Sequence, residues 1–138
     1  MKDLREILDE YSGMRLNRFD YKRIEQIQEE TNLYLQDEFQ VLEVQEDFFA
    51  LLIRRHIYCE PEDTMNIELE FEIARHLAEG YTEDLRKYDI ESEVKKDVDY
   101  YIDYNMSRAS ALISAVTSSF GMSPLVTPPN FIERETEE

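Results

Sequence analysis

The sequence is poor in the residues that mark several protein classes. Cys59 is its one cysteine, which excludes an internal disulfide and suits a reducing cytoplasm. No apolar run approaches ~20 residues, so we expect no transmembrane helix. The net charge of −17 disfavours anionic membrane surfaces, so we expect no direct membrane binding either. The first ten residues, MKDLREILDE, are too charged for a signal peptide. Basic residues are also scarce, with 15 Lys and Arg against 32 Asp and Glu, and a net charge of −17 disfavours nucleic acid as a partner.

Motifs of catalysis are missing as well. The sequence has no Gly-rich phosphate loop, no Gly-x-Ser-x-Gly and no His-Glu-x-x-His. Asp99 and Asp103 share a helical face, but they are better explained as solvated carboxylates than as a metal site. Cys59 is better explained as a small buried hydrophobe than as a nucleophile. We therefore expect no catalytic residue, no metal and no cofactor, and a protein that is not an enzyme.

The sequence does contain enough apolar material for one folded domain. Apolar residues make up 42% of the 138 residues and only three are glycine, so a single core can form despite the charge. We expect one domain over 1–138, with an N-terminal helix over 1–12, a sheet over 15–79, a long helix over 89–119 and a disordered acidic tail over 132–138.

The clearest pattern lies between Met65 and Ile73, where apolar residues alternate without a break with Asn66 and three glutamates. Such alternation predicts a half-buried strand of an antiparallel sheet, with residues 48–59 as its partner and a turn around Pro61. In the register that this turn sets, Ile57 lies opposite Ile67 on the buried face, and the outer face pairs Arg54 with Glu70 and His56 with Glu68. Arg55 falls on the buried face, so it requires a carboxylate partner or an oligomer edge.

Residues 33–45 predict a further strand that turns at Glu46–Asp47. This turn places Leu42 and Val44 on the buried face. It places a mostly apolar patch on the outer face, and its members are Phe39, Val41, Phe48, Ala50 and Leu52. Such a patch indicates an interaction site, unless a second subunit or the N-terminal helix covers it. Residues 15–28 fit either a strand with a bulge or a helix, and we interpret them as a strand.

A long amphipathic helix is predicted from residue 89 or 90 to about Ser118. Its second half, 107–119, is rich in Ser and Ala, which allows close approach of another element. Gly121 ends the helix, and the Pro-rich segment 124–129 is expected to extend away. The fold class is α+β: a four-stranded antiparallel, meander-like sheet with a long C-terminal helix packed on one face and a short N-terminal helix.

The stretch 104–131, YNMSRASALISAVTSSFGMSPLVTPPNF, resembles the SecB export chaperones. In that family a helix that opens with Tyr leads to a Gly, a Pro/Leu segment and a Pro-x-Asn-Phe-like closure. The matching residues here are Tyr104, Gly121, Pro124, Leu125, Pro128, Asn130 and Phe131. Four antiparallel strands followed by a long helix are also the order of that fold. The whole chain resembles a small uncharacterised family of Gram-positive bacterial proteins with a SecB-like fold.

This resemblance implies a cytoplasmic, holdase-type chaperone that binds non-native polypeptide in apolar grooves and has a link to protein export. The alternative is a specific adaptor or regulator on the same scaffold, without general chaperone activity. The candidate polypeptide-binding residues are Phe39, Val41, Phe48, Leu52, Met122, Leu125 and Val126. We expect a homo-oligomer, either a dimer or a tetramer. In the family a second helix and a tail that contacts the translocation ATPase follow the Asn-Phe, and we expect that helix to be truncated or absent here.

Overall fold

The structure, a computed structural model, describes residues 1–23, 32–60, 65–119, 124–133 and 135–136. The chain divides into two units, Met1–Glu91 with Ile132–Glu138, and Ser92–Phe131. The helices are α1 (Leu4–Ile7), α2 (Ile90–Lys96) and α3 (Val98–Ser119), with a short 3₁₀ turn at Leu85–Lys87. The strands are β1 (Leu8–Arg23), β2 (Asn32–Val44), β3 (Phe48–Glu60), β4 (Met65–Leu77) and β5 (Glu135–Thr136). The α+β class, with an antiparallel sheet and a long C-terminal helix, is confirmed.

One face of the sheet forms the core of the first unit. Along β4, residues on this face alternate with half-buried ones from Met65 to Ala74, as the sequence predicted. The β3–β4 register is also confirmed, with Ile57 opposite Ile67 and Arg54 opposite Glu70. The side chains of these two strands that are at most 2% exposed are Phe49, Leu51, Ile53, Arg55, Ile57, Met65, Ile67, Leu69, Phe71 and Ile73.

The strand order β1-β4-β3-β2-β5 differs from the expected meander, because β1 pairs with β4 and not with β2. Charge and burial both favour this arrangement. On the outer face, Arg15 lies opposite Glu72, one of the three glutamates of β4. On the other face, Phe19 and Tyr21 lie opposite the buried Leu69 and Ile67, so β1 extends the apolar surface of the sheet.

The N-terminal helix is shorter than predicted. Only Leu4–Ile7 is helical, with the Asp3 carboxylate accepting a hydrogen bond from the Arg5 backbone N–H at 2.9 Å, and residues 8–11 already belong to β1. A helix of this length is marginal, and Leu8 pairs with Leu77 of β4 instead. The strand interpretation of 15–28 holds as far as Arg23, with a register shift between Leu16 and Arg18, and 24–28 lie outside the described residues.

The long helix of 89–119 is present as α2 and α3, with one turn residue, Asp97, between them. The Asp97 N–H donates to the carbonyl of Val94, three residues back, at 3.2 Å. The apolar face of α3 includes four buried residues, Tyr101, Ile102, Ala109 and Ile113. Within the described part of the chain, no helix is long and apolar enough to cross a membrane.

Within the predicted acidic tail, the described residues Glu135–Thr136 form β5, which pairs with β2. Tyr34 lies opposite Thr136, and Leu35 lies opposite Glu135. An edge strand presents unpaired N–H and C=O groups, so it accepts even a short strand of otherwise polar sequence.

Candidate polypeptide-binding surfaces

A β-bulge at Leu42 overturns the predicted outer-face patch. Glu43 lies opposite Ala50, but the next residue of β2 with a partner is Val41, opposite Leu51. Side chains alternate strictly between the two faces along a strand. The extra residue, Leu42, therefore places every β2 residue before it on the face opposite to the one predicted. Leu42 itself is 42% exposed and not on the buried face.

Phe39 and Val41 consequently lie on the buried face, opposite Ile53 and Leu51, and not beside Phe48 on the outer face. Both are half-buried. Val44 follows the bulge and lies opposite the buried Phe49, as predicted.

What remains of the patch is Phe48, Ala50 and Leu52, all half-buried. The Phe48 ring stacks on the exposed His76 imidazole at a centroid distance of 5.6 Å and an interplanar angle of 30°. Leu52 lies opposite Glu72 of β4. The patch is therefore smaller than expected and bordered by a histidine and a carboxylate.

The same bulge brings Asp37 opposite Arg55, which is fully buried. The Arg55 guanidinium donates from Nε to Asp37 Oδ1 and from Nη2 to Oδ2, each at 2.7 Å. The carboxylate partner that Arg55 requires is therefore confirmed, and it comes from the neighbouring strand. A bidentate arrangement of this kind suits a buried pair, because it satisfies several donors at once.

Asp37 also holds Ile132 at the edge of β2. Its backbone N–H donates to the Ile132 carbonyl at 2.7 Å, and its Oδ2 accepts the Ile132 N–H at 2.8 Å. Asp37 thus binds both the backbone N–H and the backbone carbonyl of Ile132. With the pairs that Tyr34 and Leu35 make with β5, this edge of the sheet already carries an added strand.

An aromatic row on the outer face escaped the sequence analysis. Tyr34 stacks on Tyr58 at 5.2 Å between ring centroids, and Tyr58 on His56 at 4.7 Å. His56 lies opposite Glu68 as predicted, but its Nε2 hydrogen-bonds to Asn66 Oδ1 at 2.7 Å. The bulge-corrected register, which places Tyr34 opposite Tyr58, is the signal that would have revealed the row.

Ion pairs occupy the rest of the outer face. Guanidinium groups of β1 and β3 contact the glutamates of β4: Arg15 with Glu72, Arg18 with Glu68 at 2.9 Å and Arg54 with Glu70 at 2.7 Å. Hydrogen bonds from Asn17 and Arg15 lower the pKa of Glu72. These carboxylates link the three strands β1, β4 and β3 across the outer face.

In the second unit, residues 124–131 do not extend away but return along α3. The hydroxyls of Ser110 and Ser114 donate to the carbonyls of Thr127 and Leu125 at 2.6 and 2.8 Å. The Leu125 N–H donates to Thr117 Oγ1 at 2.9 Å. The half of α3 that is rich in Ser and Ala therefore packs closely against residues 124–131, as its small side chains allow.

The Asp103 carboxylate adds a further contact, accepting the Phe131 N–H at 3.1 Å, and burial raises its pKa. Of the predicted site residues in this region, Leu125 is half-buried, Val126 is 82% exposed and Met122 lies outside the described residues. Val126 is thus the one large apolar side chain among described residues 124–131 that is largely open to solvent.

Among the described residues, no cluster of three or more His, Cys, Asp or Glu side chains is arranged to hold a metal ion. Cys59 is buried, and burial raises the pKa of its thiol, which disfavours the nucleophilic thiolate.

The antiparallel sheet followed by the long helix defines a SecB-like fold. A solved structure with this fold, the SecB-like chaperone Rv1957 of Mycobacterium tuberculosis in complex with a ChAD peptide from the Rv1956 HigA1 antitoxin, matches with a TM-score of 0.60. The match has 15% sequence identity and covers 84% of this chain and 86% of that chain. No protein-family model and no curated protein matches the sequence. At this identity the likeness concerns the fold.

Proposed function

We propose that the protein binds segments of other polypeptides on its SecB-like scaffold, as a chaperone of the holdase type. The observation that carries this proposal is the likeness of the fold to a SecB-like chaperone whose structure contains a bound peptide. A cytoplasmic location and a link to protein export stay predictions.

Two surfaces are proposed to contact bound polypeptide. The first comprises the outer-face patch around Phe48 and Leu52 and, farther along the outer face of β3 beyond Arg54, the aromatic row that contains Tyr58. The second is the exposed Val126 with the adjacent Leu125, to which the sequence prediction adds Met122. Aromatic and apolar groups supply contact area that tolerates different sequences, and the net charge of −17 favours basic flanks and keeps complexes soluble.

The test is light scattering from a reporter protein that aggregates on heating, with stoichiometric amounts of this protein at low and at moderate salt. A holdase suppresses the scattering, and the acidic surface predicts weaker suppression as salt rises. Unchanged scattering at a several-fold excess would contradict a holdase.

The site is tested by changing Phe48 and Leu52 together to Ser, which we expect to weaken suppression. Leu42→Ser is the matched control, because Leu42 is also an exposed apolar side chain but lies on the bulge and outside the patch. Equal suppression by both variants and the unchanged protein would exclude this surface.

A second candidate is a specific adaptor for one partner protein. The peptide bound to Rv1957 comes from a single antitoxin, which favours this alternative. A pull-down from native lysate that yields one stoichiometric partner, together with no effect on the aggregating reporter, would support the adaptor over the holdase.

A further inference from the structure

The two-residue loop between β2 and β3 is held by a part of the chain that lies far from it in sequence. The carbonyl of Asp47 accepts the Leu77 N–H at 2.7 Å, and the carbonyl of Glu46 accepts the Leu85 N–H at 2.9 Å. Both carbonyl groups of the loop are therefore bound by the chain itself. Such bonds restrict a surface loop more than bonds to water would, because the partner groups are fixed in the fold.

The part of the chain that holds the loop contains the 3₁₀ turn Leu85–Lys87. Leu85 is fully buried and anchors this turn. The Asp84 carboxylate caps the turn, because it accepts the Arg86 N–H at 3.0 Å and the Arg86 guanidinium at 2.8 Å. The same guanidinium lies 3.3 Å from the Glu46 carboxylate, measured from Nη2 to Oε1. Arg86 is thus a side chain that joins the cap of the 3₁₀ turn to the hairpin loop.

The hairpin loop leads directly into the outer-face patch. Phe48 follows Asp47, and its ring stacks on the imidazole of His76, the residue before Leu77. The bond from Leu77 to Asp47 therefore lies next to the stacked pair, and a movement of the loop away from Leu77 would separate the two rings. A surface that is already ordered before it binds a partner loses less conformational entropy on binding, so the order of the loop affects affinity.

We propose that Arg86 is a positioning residue for the outer-face patch: by joining Asp84 to Glu46, it holds the hairpin loop in place and keeps the Phe48 ring stacked on His76. The inference rests on the proposed function and concerns the first of its two surfaces. In this role Arg86 acts through the loop and not by contact with the bound polypeptide. An exposed ion pair is weak, but this one adds to two backbone hydrogen bonds, so its loss should loosen the loop without unfolding the sheet.

The experiment compares Arg86→Ala, Glu46→Ala and the variant with both changes. Lys87→Ala is the matched control, because it removes the same charge from the next residue of the 3₁₀ turn. The first measurement needs no ligand: the NMR shifts of the His76 imidazole protons report the ring current of Phe48, and Phe48→Leu gives their values without the stacked ring. The second is the concentration of protein that halves light scattering from the aggregating reporter.

We expect Arg86→Ala to move the His76 shifts towards those of Phe48→Leu and to raise the half-suppressing concentration about two- to fivefold, the range that an exposed ion pair can supply. The variant with both changes should be no weaker than Arg86→Ala alone, because the two substitutions remove the same interaction between the turn and the loop. Lys87→Ala should match the unchanged protein in both measurements. Urea unfolding of each variant checks that the fold is retained.

His76 shifts and suppression that both stay unchanged in Arg86→Ala would overturn this inference alone and leave the proposed function standing. Weaker suppression with unchanged His76 shifts would also overturn it, because Arg86 would then act by another route than the loop. Equal effects of Lys87→Ala would reduce the result to a general effect of charge and overturn it as well. If the unchanged protein suppresses no scattering, the proposed function fails, whereas moved His76 shifts in Arg86→Ala would still support the positioning of the rings.

Discussion

At the scale of the residue, Arg55 decides how β2 lies in the sheet. A guanidinium on the buried face requires a carboxylate, and only the register with a bulge at Leu42 brings Asp37 opposite it. Without the bulge, Asp37 would lie on the outer face and Arg55 would lose this partner. The buried ion pair therefore specifies register, a role for which such pairs are retained despite their desolvation.

We predict that Arg55→Met lowers the free energy of unfolding by roughly 3–5 kcal/mol, because it leaves the Asp37 carboxylate buried without its charged partner. The double variant, Asp37→Leu with Arg55→Met, should recover most of this loss, since it removes both buried charges. Urea unfolding followed by circular dichroism measures both, and Arg54→Met, on the outer face, is the control with an expected loss within about 1 kcal/mol. A double variant no more stable than the single one would contradict this account.

Asp84 is a second residue with a definite electrostatic role. Its carboxylate accepts the Arg86 N–H at 3.0 Å and the Arg86 guanidinium at 2.8 Å, and these bonds lower its pKa to about 2. We predict that Arg86→Ala raises this pKa towards its ordinary value of 3.8, as measured by an NMR titration of the carboxyl carbon. Lys87→Ala removes only a weak charge interaction and should raise it less.

The sign of the effect on stability follows from the lowered pKa. The folded state favours the charged carboxylate, so this stabilisation is present above pH 3.8 and is lost as the pH falls towards 2. In the Arg86→Ala variant, Asp84 should contribute less to the loss of folding stability at acid pH. An unchanged pKa of Asp84 in that variant would show that the Arg86 side chain does not lower it.

At the scale of the element, the strands whose two faces are both constrained were predicted best. The register of β3 with β4 followed from the sequence because one face is apolar and the other pairs Arg54 with Glu70. The register of β2 did not, because the alternation was extended from the turn through Leu42 as if no residue were inserted. The requirement of Arg55 for a carboxylate was recognised, but it was not used to choose between the two registers.

Short segments were predicted less well for a different reason. Leu4, Ile7 and Leu8 are buried, and one helical turn followed by the start of a strand buries them as well as the predicted longer helix would. The segment after α3 has no regular apolar periodicity, and hydroxyl groups on the helix fix its position. Its return along α3 depends on tertiary hydrogen bonds, which local periodicity does not encode. Hence the candidate site changed most where bulges and side-chain hydrogen bonds determine the geometry.

The bulge leads to a prediction about deletions. Removing Leu42 joins Val41 to Glu43, and their partners on β3, Leu51 and Ala50, are already consecutive. The β2–β3 pairing then becomes regular, and every side chain stays on its present face of the sheet. We expect this variant to lose about 1 kcal/mol or less in urea unfolding.

Deletion of Gln36 is the matched control, because it lies within the regular part of the same strand. This deletion must turn either the residues before it or Asp37, Phe39 and Val41 to the opposite face, and we expect a loss of several kcal/mol. Similar losses for the two deletions would show that the residue at the bulge is not a simple insertion.

At the scale of the whole molecule, several features that suggested oligomerisation are satisfied within one chain. Arg55 is paired with Asp37, and the small-residue half of α3 packs against residues 124–131. The feature that still suggests oligomerisation is the outer-face patch around Phe48 and Leu52. A homo-oligomer stays a prediction, and its interface now has fewer candidate surfaces.

The acidity of the molecule is its other global property. The excess of acidic over basic residues is 17, so pairing every Lys and Arg would still leave a negatively charged surface. Guanidiniums of Arg15, Arg18 and Arg54 are used in this way, across the strands of the sheet. If the protein binds polypeptide as proposed, the negative field that remains should favour basic partners during the approach, before close contacts form.

This field predicts how binding depends on salt. Raising the ionic strength from ~0.1 to ~1 M shortens the screening length from about 10 to about 3 Å, so the affinity for a synthetic peptide of alternating valine and lysine should fall by about tenfold. A peptide of valine and serine, which lacks charge, should keep its affinity or gain slightly, because apolar burial is not screened. Anisotropy titrations at the two salt concentrations measure both. Equal responses of the two peptides would mean that apolar contacts alone carry binding and that the acidic surface serves solubility.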